Sequence, residues 1–349
     1  MGRKRYQMWS NRKRQKLSTT QLEDLPVEVL LNVLNFLELP DLNRVGQVSK
    51  RLNSVRLVES CQQKIILGNN TCPEKTTVPF EVVKKILDRG CKTLCFKRCR
   101  LTGGSYLHSK AEKKTGSSQL INLNMYQCEF TNGFLETLMS SSHSLKTFSL
   151  MDHNINRFSN DILHTFYRQN GQSLQTLNLA FTHIVKWEHI ELIVKNCTGL
   201  KEVDFADCCL SYESIHLLVN GITKNIEKIC LALCGPGKEG IDGYINILVS
   251  RCNKIKSLNL ALSSGITDIT LTSIKKNLRN TLEELDISRC TNITDTKLLE
   301  MRSMPKLKVL NYCKKWNPYN YEELKKNLPQ LNNNNPKKKW QGWQGRLLI

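Results

Sequence analysis

No run of apolar residues approaches the roughly 18 to 20 that a helix needs to cross a bilayer, although the hydrophobic content, 40%, is ordinary for a packed core. No apolar stretch directly follows the charged first residues, as a secretory leader requires, so a chain made and kept inside the cell is expected. Catalytic signatures are missing as well. There is no G-x-x-x-x-G-K-[ST] phosphate loop, no G-x-S-x-G, no H-E-x-x-H and no G-x-G-x-x-G behind a strand pattern. The stretch GPGKEG at 235–240 lacks the Lys-Ser/Thr ending of a phosphate loop and reads as an insertion. These absences leave no catalytic residue and no cofactor to expect.

Acid is absent from residues 1–20, where Arg3, Lys4, Arg5, Arg12, Lys13, Arg14 and Lys16 stand unopposed. Residues 312–349 hold eight basic and two acidic residues, so the two ends carry most of the net +20. A folded body of modest charge with basic ends does not look like a DNA-binding face. The 1–20 arm reads as disordered, and either as an import signal or anionic-surface patch or as a merely solvated segment; nucleus and cytoplasm are the expected locations.

What the chain does have is a repeat. An L-x-x-L-x-L core recurs as LKTFSL (145–150), LQTLNL (174–179), LKEVDF (200–205), IEKICL (226–231), IKSLNL (255–260) and LEELDI (282–287), with weaker copies from Gln62, Cys91, Leu120 and Leu307. Starts lie 25 to 29 residues apart, the period of a leucine-rich repeat with a strand and a helix in each unit. One unit cannot bury its own apolar face, so units stack into a continuous parallel sheet, usually a binding surface.

Fourteen cysteines raise the question of metal. Eight positions after a strand start stand Asn70, Cys99, Cys128, His153, Thr182, Cys208, Cys234, Ser263 and Cys290, so five cysteines share one slot. There the chain turns off the strand, and a small side chain can satisfy backbone groups. Cys91-x3-Cys95-x3-Cys99 and Cys230-x3-Cys234 lack paired zinc spacing and a histidine pair. Reduced structural thiols are therefore expected, and no metal.

Between Leu22 and Leu52 apolar residues exceed one helix face: Val27, Val29, Leu30, Leu31, Val33, Leu34, Phe36 and Leu37 cover more than the 100° or so that a surface helix hides. Pro26 suits the first helical position. The helix should end near Leu37, Leu39-Pro40 should break it, a second should start at Asp41, and a third should run from Ser49 to Val55. Three such helices are small for an independent core.

The residues Leu25-Pro26-x-Glu28-Val29-Leu30-Leu31, Phe36-Leu37, Leu39-Pro40-Asp41-Leu42, Val45 and Val48-Ser49-Lys50-Arg51-Leu52 resemble the F-box motif. The motif commonly ends Val-Cys-Lys-Arg-Trp; this chain departs at Ser49 and Leu52. Residues 64–101, and LKVLNYCKKWNPYNYEELKKNLPQLN followed by WQGWQGRLLI, are similar in layout to the S-phase kinase-associated branch of that family. The resemblance implies an α/β fold: a short all-α three-helix F-box at 21–60, then a curved leucine-rich-repeat solenoid of nine to ten units at 61–311. Parallel strands would line its concave face with helices outside, and 312–349 would form a helix and a returning C-terminal tail. It further implies a substrate-recognition subunit of a Skp/cullin/F-box ubiquitin ligase, with the F-box on the Skp adaptor and cullin-RING ligase, the repeats on a phosphorylated cell-cycle substrate, and a small cyclin-dependent kinase subunit as helper. The adaptor would meet Leu25, Pro26, Val29, Leu30, Leu37, Leu39, Pro40, Leu42 and Val45. Two other readings stay open, an F-box scaffold with no role in ubiquitination and a basic chromatin- or nucleic-acid-binding repeat protein. Neither a membrane nor nucleic acid is the expected partner.

Residues outside the leucine positions map the substrate side. Six after each start stand Lys97, Tyr126, Met151, Ala180, Ala206, Ala232, Ala261 and Ser288, a shallow floor; seven after stand Arg98, Gln127, Asp152, Phe181, Asp207, Leu233, Leu262, Arg289 and Lys314, a mixed apolar and charged row typical of an interface. Arg289 suits a phosphate or carboxylate, and Phe181 and Leu233 suit apolar anchors. Tyr126, Asp207, Leu262 and Trp316 complete the candidates, each weighed against an ordinary solvated strand residue. Asn124, Asn178, Asp204, Asn259, Asp286 and Asn311 form a polar row, read as solubilising. Trp316, Trp340 and Trp343 in the tail call for a docked segment.

Overall fold

The computed structural model describes residues 22–34, 37, 39–56, 63–68, 74–104, 119–151, 160–182, 185–235, 241–312, 326 and 331–332. It divides into two compact units, Met1–Gln62 and Gln63–Ile349. Phe36, Asn70, Asp152, His153, Lys314, Trp316, Trp340, Trp343 and the basic arm lie outside the described residues.

In the first unit a 3-10 turn, Leu22–Asp24, leads to α1 (Val27–Leu34), α2 (Leu39–Val48) and α3 (Lys50–Arg56). The carbonyl of Pro26 accepts from the amides of Val29 (3.1 Å) and Leu30 (3.0 Å). Proline therefore stands just before α1 rather than as its first residue, where it still has no N–H to leave unpaired. α1 closes three residues earlier than Leu37, whose amide donates back to the Leu34 carbonyl at 3.0 Å. Leu39-Pro40 opens α2 instead of merely breaking α1, because a proline in the first helical turn gives up no needed donor. Ser49 caps α3 by accepting from the amide of Leu52 at 3.1 Å. Leu30, Leu34, Leu42, Leu52 and Val55 form the core of this unit, with Leu25, Leu31, Leu37 and Val45 packed partly buried against it.

The second unit is built on an eleven-stranded sheet. In spatial order its strands are Lys64–Gly68, Thr93–Lys97, Asn122–Tyr126, Thr147–Met151, Thr176–Asn178, Glu202–Asp204, Lys228–Cys230, Ser257–Asn259, Glu284–Asp286, Val309–Asn311 and Leu331–Asn332. Every neighbouring pair is parallel and in repeat register, Leu177 against Val203 and Leu258 against Leu285 among them. The apolar residues three and five after each start are buried, apart from half-buried Leu67, as are helix residues such as Ile215, Leu218, Leu271 and Ile274, and the core runs between strand and helix in each repeat. Two features depart from the sequence expectation. A second parallel sheet, Thr76–Pro79, Cys99–Thr102 and Glu129–Phe130, flanks the first repeats. The last strand, Leu331–Asn332, comes from inside the stretch expected to be a helix and tail.

Successive repeats are also tied by their helix caps. Asp242, in the first turn of helix Ile241–Arg251, accepts from the amide of Thr267 (3.0 Å) and its hydroxyl (2.6 Å), and from the hydroxyl of Thr270. Asp268 accepts from the amide (2.8 Å) and hydroxyl (2.7 Å) of Thr294 in the same way. Each threonine in turn caps its own helix, so one cap holds the next.

Candidate functional site

At the carboxyl end of the strands from Thr176–Asn178 to Glu284–Asp286 the chain makes the same turn, and three side-chain rows build it. Four residues after the start, Asn178, Asp204, Asn259 and Asp286 are buried. Each accepts through Oδ1, at 2.9 Å, from the amide two residues on, that of Ala180, Ala206, Ala261 or Ser288. The polar row is therefore structural, not solubilising, because these amides would otherwise be buried without a partner. Burial pushes the Asp204 carboxyl up to about 6, partly offset by the Ala206 amide and the Cys230 thiol; burial raises Asp286 as well.

Eight residues after the start lies the cysteine slot. Cys208 donates its thiol to the Leu179 carbonyl one repeat back at 2.9 Å, Cys290 to Leu260 at 3.1 Å and Cys99 to Leu67 at 3.3 Å; Cys234 does the same to Phe205. Thr182 in that slot donates to its own repeat's Leu179. Burial raises the thiols of Cys208 and Cys290 to about 12, so they stay protonated. Among the described residues no group of His, Cys, Asp or Glu is arranged to hold a metal, and no helix is long and apolar enough to cross a membrane.

Between those two rows lies the one of most interest. Arg98, Gln127, Phe181, Asp207, Leu233, Leu262 and Arg289 have φ between 50° and 62°, the left-handed region. They are turn residues, not the strand residues the sequence suggested, since the strand has ended three positions earlier, or one position earlier for Arg98 and Gln127. A ladder of hydrogen bonds imposes the conformation: the amide of Phe181 donates to the Ala206 carbonyl (2.7 Å), Asp207 to Ala232 (2.9 Å), Leu233 to Ala261 (3.0 Å) and Leu262 to Ser288 (2.8 Å). These residues thus recur at one position of the turn, with φ alike within 12°. Leu233 and Leu262 are 46% and 42% exposed, Arg289 is exposed, and Phe181 and Asp207 are half-buried. Apart from Asp207, no residue of the row signals positive φ in the sequence, since glycine, asparagine or aspartate would be the usual choice.

The structure thus brings Phe181, Asp207, Leu233, Leu262 and Arg289 into one row. Tyr126 is not in it; it ends strand Asn122–Tyr126, half-buried, with its carbonyl taken by the Arg98 amide at 2.8 Å. The six-after row is more enclosed than a floor should be: Met151, Ala180 and Ala232 are buried and Ala206, Ala261 and Ser288 half-buried.

On the first unit the nine candidates separate by burial. Leu30 (0% exposed) and Leu42 (3%) belong to the unit's own core, so they have no surface to offer and support the site only from beneath. Leu25, Leu37 and Val45 are half-buried, and Pro26 and Val29 are exposed. Leu39 and Pro40 lie in the first turn of α2. The sequence reading missed Leu22, Val27, Val33 and Val48, all exposed, Val48 at 71%. A helical wheel would have found one of them: Pro26, Val29 and Val33 stand at i, i+3 and i+7, one side of α1, while Leu30 and Leu34 point into the core.

A parallel sheet of stacked leucine repeats, preceded by a three-helix unit with an apolar outer side, defines a repeat-type binding protein of the leucine-rich class. The sequence matches the family described as SKP2 LRR domain over residues 81–337 and the one described as F-box-like over residues 22–57. The chain belongs to the F-box proteins with SKP2-type leucine-rich repeats, which in general are non-catalytic substrate adaptors. Among solved structures it resembles a chain of the Rad7 and Elc1 complex from yeast, at 13% identity and a TM-score of 0.51, with 88% of this chain and 87% of that one covered. At that identity the likeness shows the fold. LegL7, a leucine-rich-repeat protein of Legionella pneumophila, also matches at 13% identity, with a TM-score of 0.39 over 56% of this chain and 66% of that one.

Proposed function

We propose that this chain is the substrate-recognition subunit of a Skp/cullin/F-box ubiquitin ligase. The observation that carries it is the apolar side of α1, Pro26, Val29 and Val33, left exposed on a unit that already has a core of its own. An adaptor covers that side together with the half-buried Leu25, Leu37 and Val45 and the exposed Val48. The left-handed row of the repeats takes the substrate, with Phe181, Leu233 and Leu262 as apolar anchors and Arg289 as the oxyanion contact. The chain itself performs no chemistry. It raises the local concentration of substrate beside a ubiquitin-charged enzyme held by the cullin-RING scaffold.

The finer reading is a phosphorylated cell-cycle substrate, delivered with a small cyclin-dependent kinase subunit, in nucleus and cytoplasm. What supports it is the likeness to the SKP2 repeats and, for the nucleus, the paired basic clusters of residues 3–16.

The test is ubiquitin transfer by the chain reconstituted with adaptor, cullin and RING subunit. Proteins captured by the repeats are modified, and Arg289→Glu removes a subset of them while the adaptor stays bound. Complexes that hold adaptor and captured proteins but never modify them would make the chain a scaffold instead.

A further inference from the structure

Seven turn residues take a backbone conformation that glycine, asparagine or aspartate adopts at least cost, yet only Asp207 among them is of that kind. The fold needs the turn, because its amides bond to the next repeat, but it does not need these side chains. Leu233 and Leu262 are nearly half exposed and add little to the core. Something other than the fold explains their size.

Charge sharpens the pattern. On the amino-terminal side of the same strands, acid and base are matched across neighbouring repeats: Lys228 with Glu202 at 2.9 Å, Lys256 with Glu227 at 2.7 Å and Lys308 with Glu283 at 2.6 Å. In the left-handed row, the side chains of Asp207 and Arg289 make no hydrogen bond or ion pair with any described residue. From Phe181 to Arg289 the row therefore reads, repeat by repeat, aromatic, acid, apolar, apolar, base.

We propose, resting on the receptor reading, that this row recognises an extended segment of a protein substrate. In that segment a basic residue set against Asp207 and the ring of Phe181 is followed, in either chain direction, by one apolar side chain two residues on, lying over Leu233 and Leu262, and two residues further by an acidic residue at Arg289, since alternate side chains of an extended chain share a face. Strands in a sheet are about 4.8 Å apart, so Asp207 and Arg289 stand about 14 Å apart across three repeats, a span that about four residues of extended chain cover. A cation at one end can pair with the carboxylate and lie against the aromatic face. At the other, one guanidinium fork matches one carboxylate in bidentate fashion. The ligand class is thus a charge-ordered peptide, basic at one end and carboxylate-bearing at the other.

The probe is a fluorescent peptide reading Arg-Leu-Val-Leu-Glu between Gly-Ser flanks, titrated by anisotropy into the full chain bound to its adaptor. Saturable binding is expected, weakened roughly tenfold or more when Glu becomes Gln or when Leu233→Gly and Leu262→Gly are combined. Because glycine accepts positive φ freely, that double variant should melt no lower than the unaltered protein, which separates lost recognition from lost folding. Arg289→Glu should turn the preference toward the same peptide with Lys in place of Glu. The inference is overturned if a shuffled peptide with adjacent charges binds as tightly, or if the glycine variant binds normally. A phosphoserine peptide binding roughly tenfold tighter than the Glu peptide would overturn the carboxylate assignment. If the chain holds its adaptor but no peptide, this inference fails and the receptor reading stands; if it holds peptide but no adaptor, the receptor reading fails and the specificity stands.

Discussion

A leucine at φ 54°, as at Leu233, costs the backbone about 1–2 kcal/mol relative to the right-handed region. Glycine removes that cost but loosens the unfolded chain, so Leu233→Gly alone should leave the midpoint of a urea melt unchanged or slightly raised. A lowered midpoint would mean the side chain serves the fold after all. Asp204 is a second residue whose cost can be measured. Its folded pKa, about 6, lies above the ordinary carboxylate value, so between about pH 4 and 6 the native state binds more protons than the unfolded state. Stability from this group is fully present below that window and is lost as pH rises through it. A tenfold difference in proton affinity between the folded and unfolded states is worth about 1.4 kcal/mol, so Asp204→Asn should gain about 1–3 kcal/mol at pH 7.5 and flatten the pH dependence between 4 and 6. Asn178 and Asn259 show that asparagine can make the same bond to the backbone. The cysteine slot was legible in the sequence because one small residue type recurred at one register. The left-handed row was not, since Phe, Leu and Arg carry no turn signal and only the hydrogen bonds of the next repeat reveal why they turn.

At the scale of elements, what holds one repeat to the next is more than leucine packing. Asp242 is shared by two threonines of the following helix. Removing this half-buried acceptor leaves the hydroxyl of buried Thr270 unpaired at about 1–3 kcal/mol, so Asp242→Ala should lower stability by that amount. Faster hydrogen exchange should appear first in helix Asp268–Leu278, and unchanged exchange there would show the caps to be independent. Strands and helices of the repeats followed from the sequence because leucines mark each start with little variation. The flanking sheet near Cys99–Thr102 escaped notice because its strands are short and lie outside the repeat core. In the first unit, the sequence showed an excess of apolar residues but not which were surplus. Burial divides them, with leucines 30 and 34 inside and valines 27, 29 and 33 outside.

For the whole molecule, charge placement and surface make one account. Lysines of the strand starts face glutamates of the neighbouring repeats, and the bond from Lys256 holds the Glu227 carboxyl below its ordinary range; the net +20 lies mainly in the ends. Capture of a peptide by the left-handed row depends on two charges and should weaken modestly with salt. Nucleic-acid binding would instead fall steeply, with a slope near the number of phosphates neutralised. A shallow salt dependence is therefore expected for the repeats. The central claim is that the apolar side of α1 is one half of an interface. Its most direct test is calorimetric titration of the Skp adaptor into the full chain, with Val29→Asp/Val33→Asp beside it and circular dichroism to confirm that both are folded. Burial of each valine is worth about 1.5–3 kcal/mol, so the account predicts one-to-one binding by the unaltered chain and a loss of at least tenfold in the variant. No heat of binding from the unaltered chain, or equal affinity in a folded variant, would contradict it.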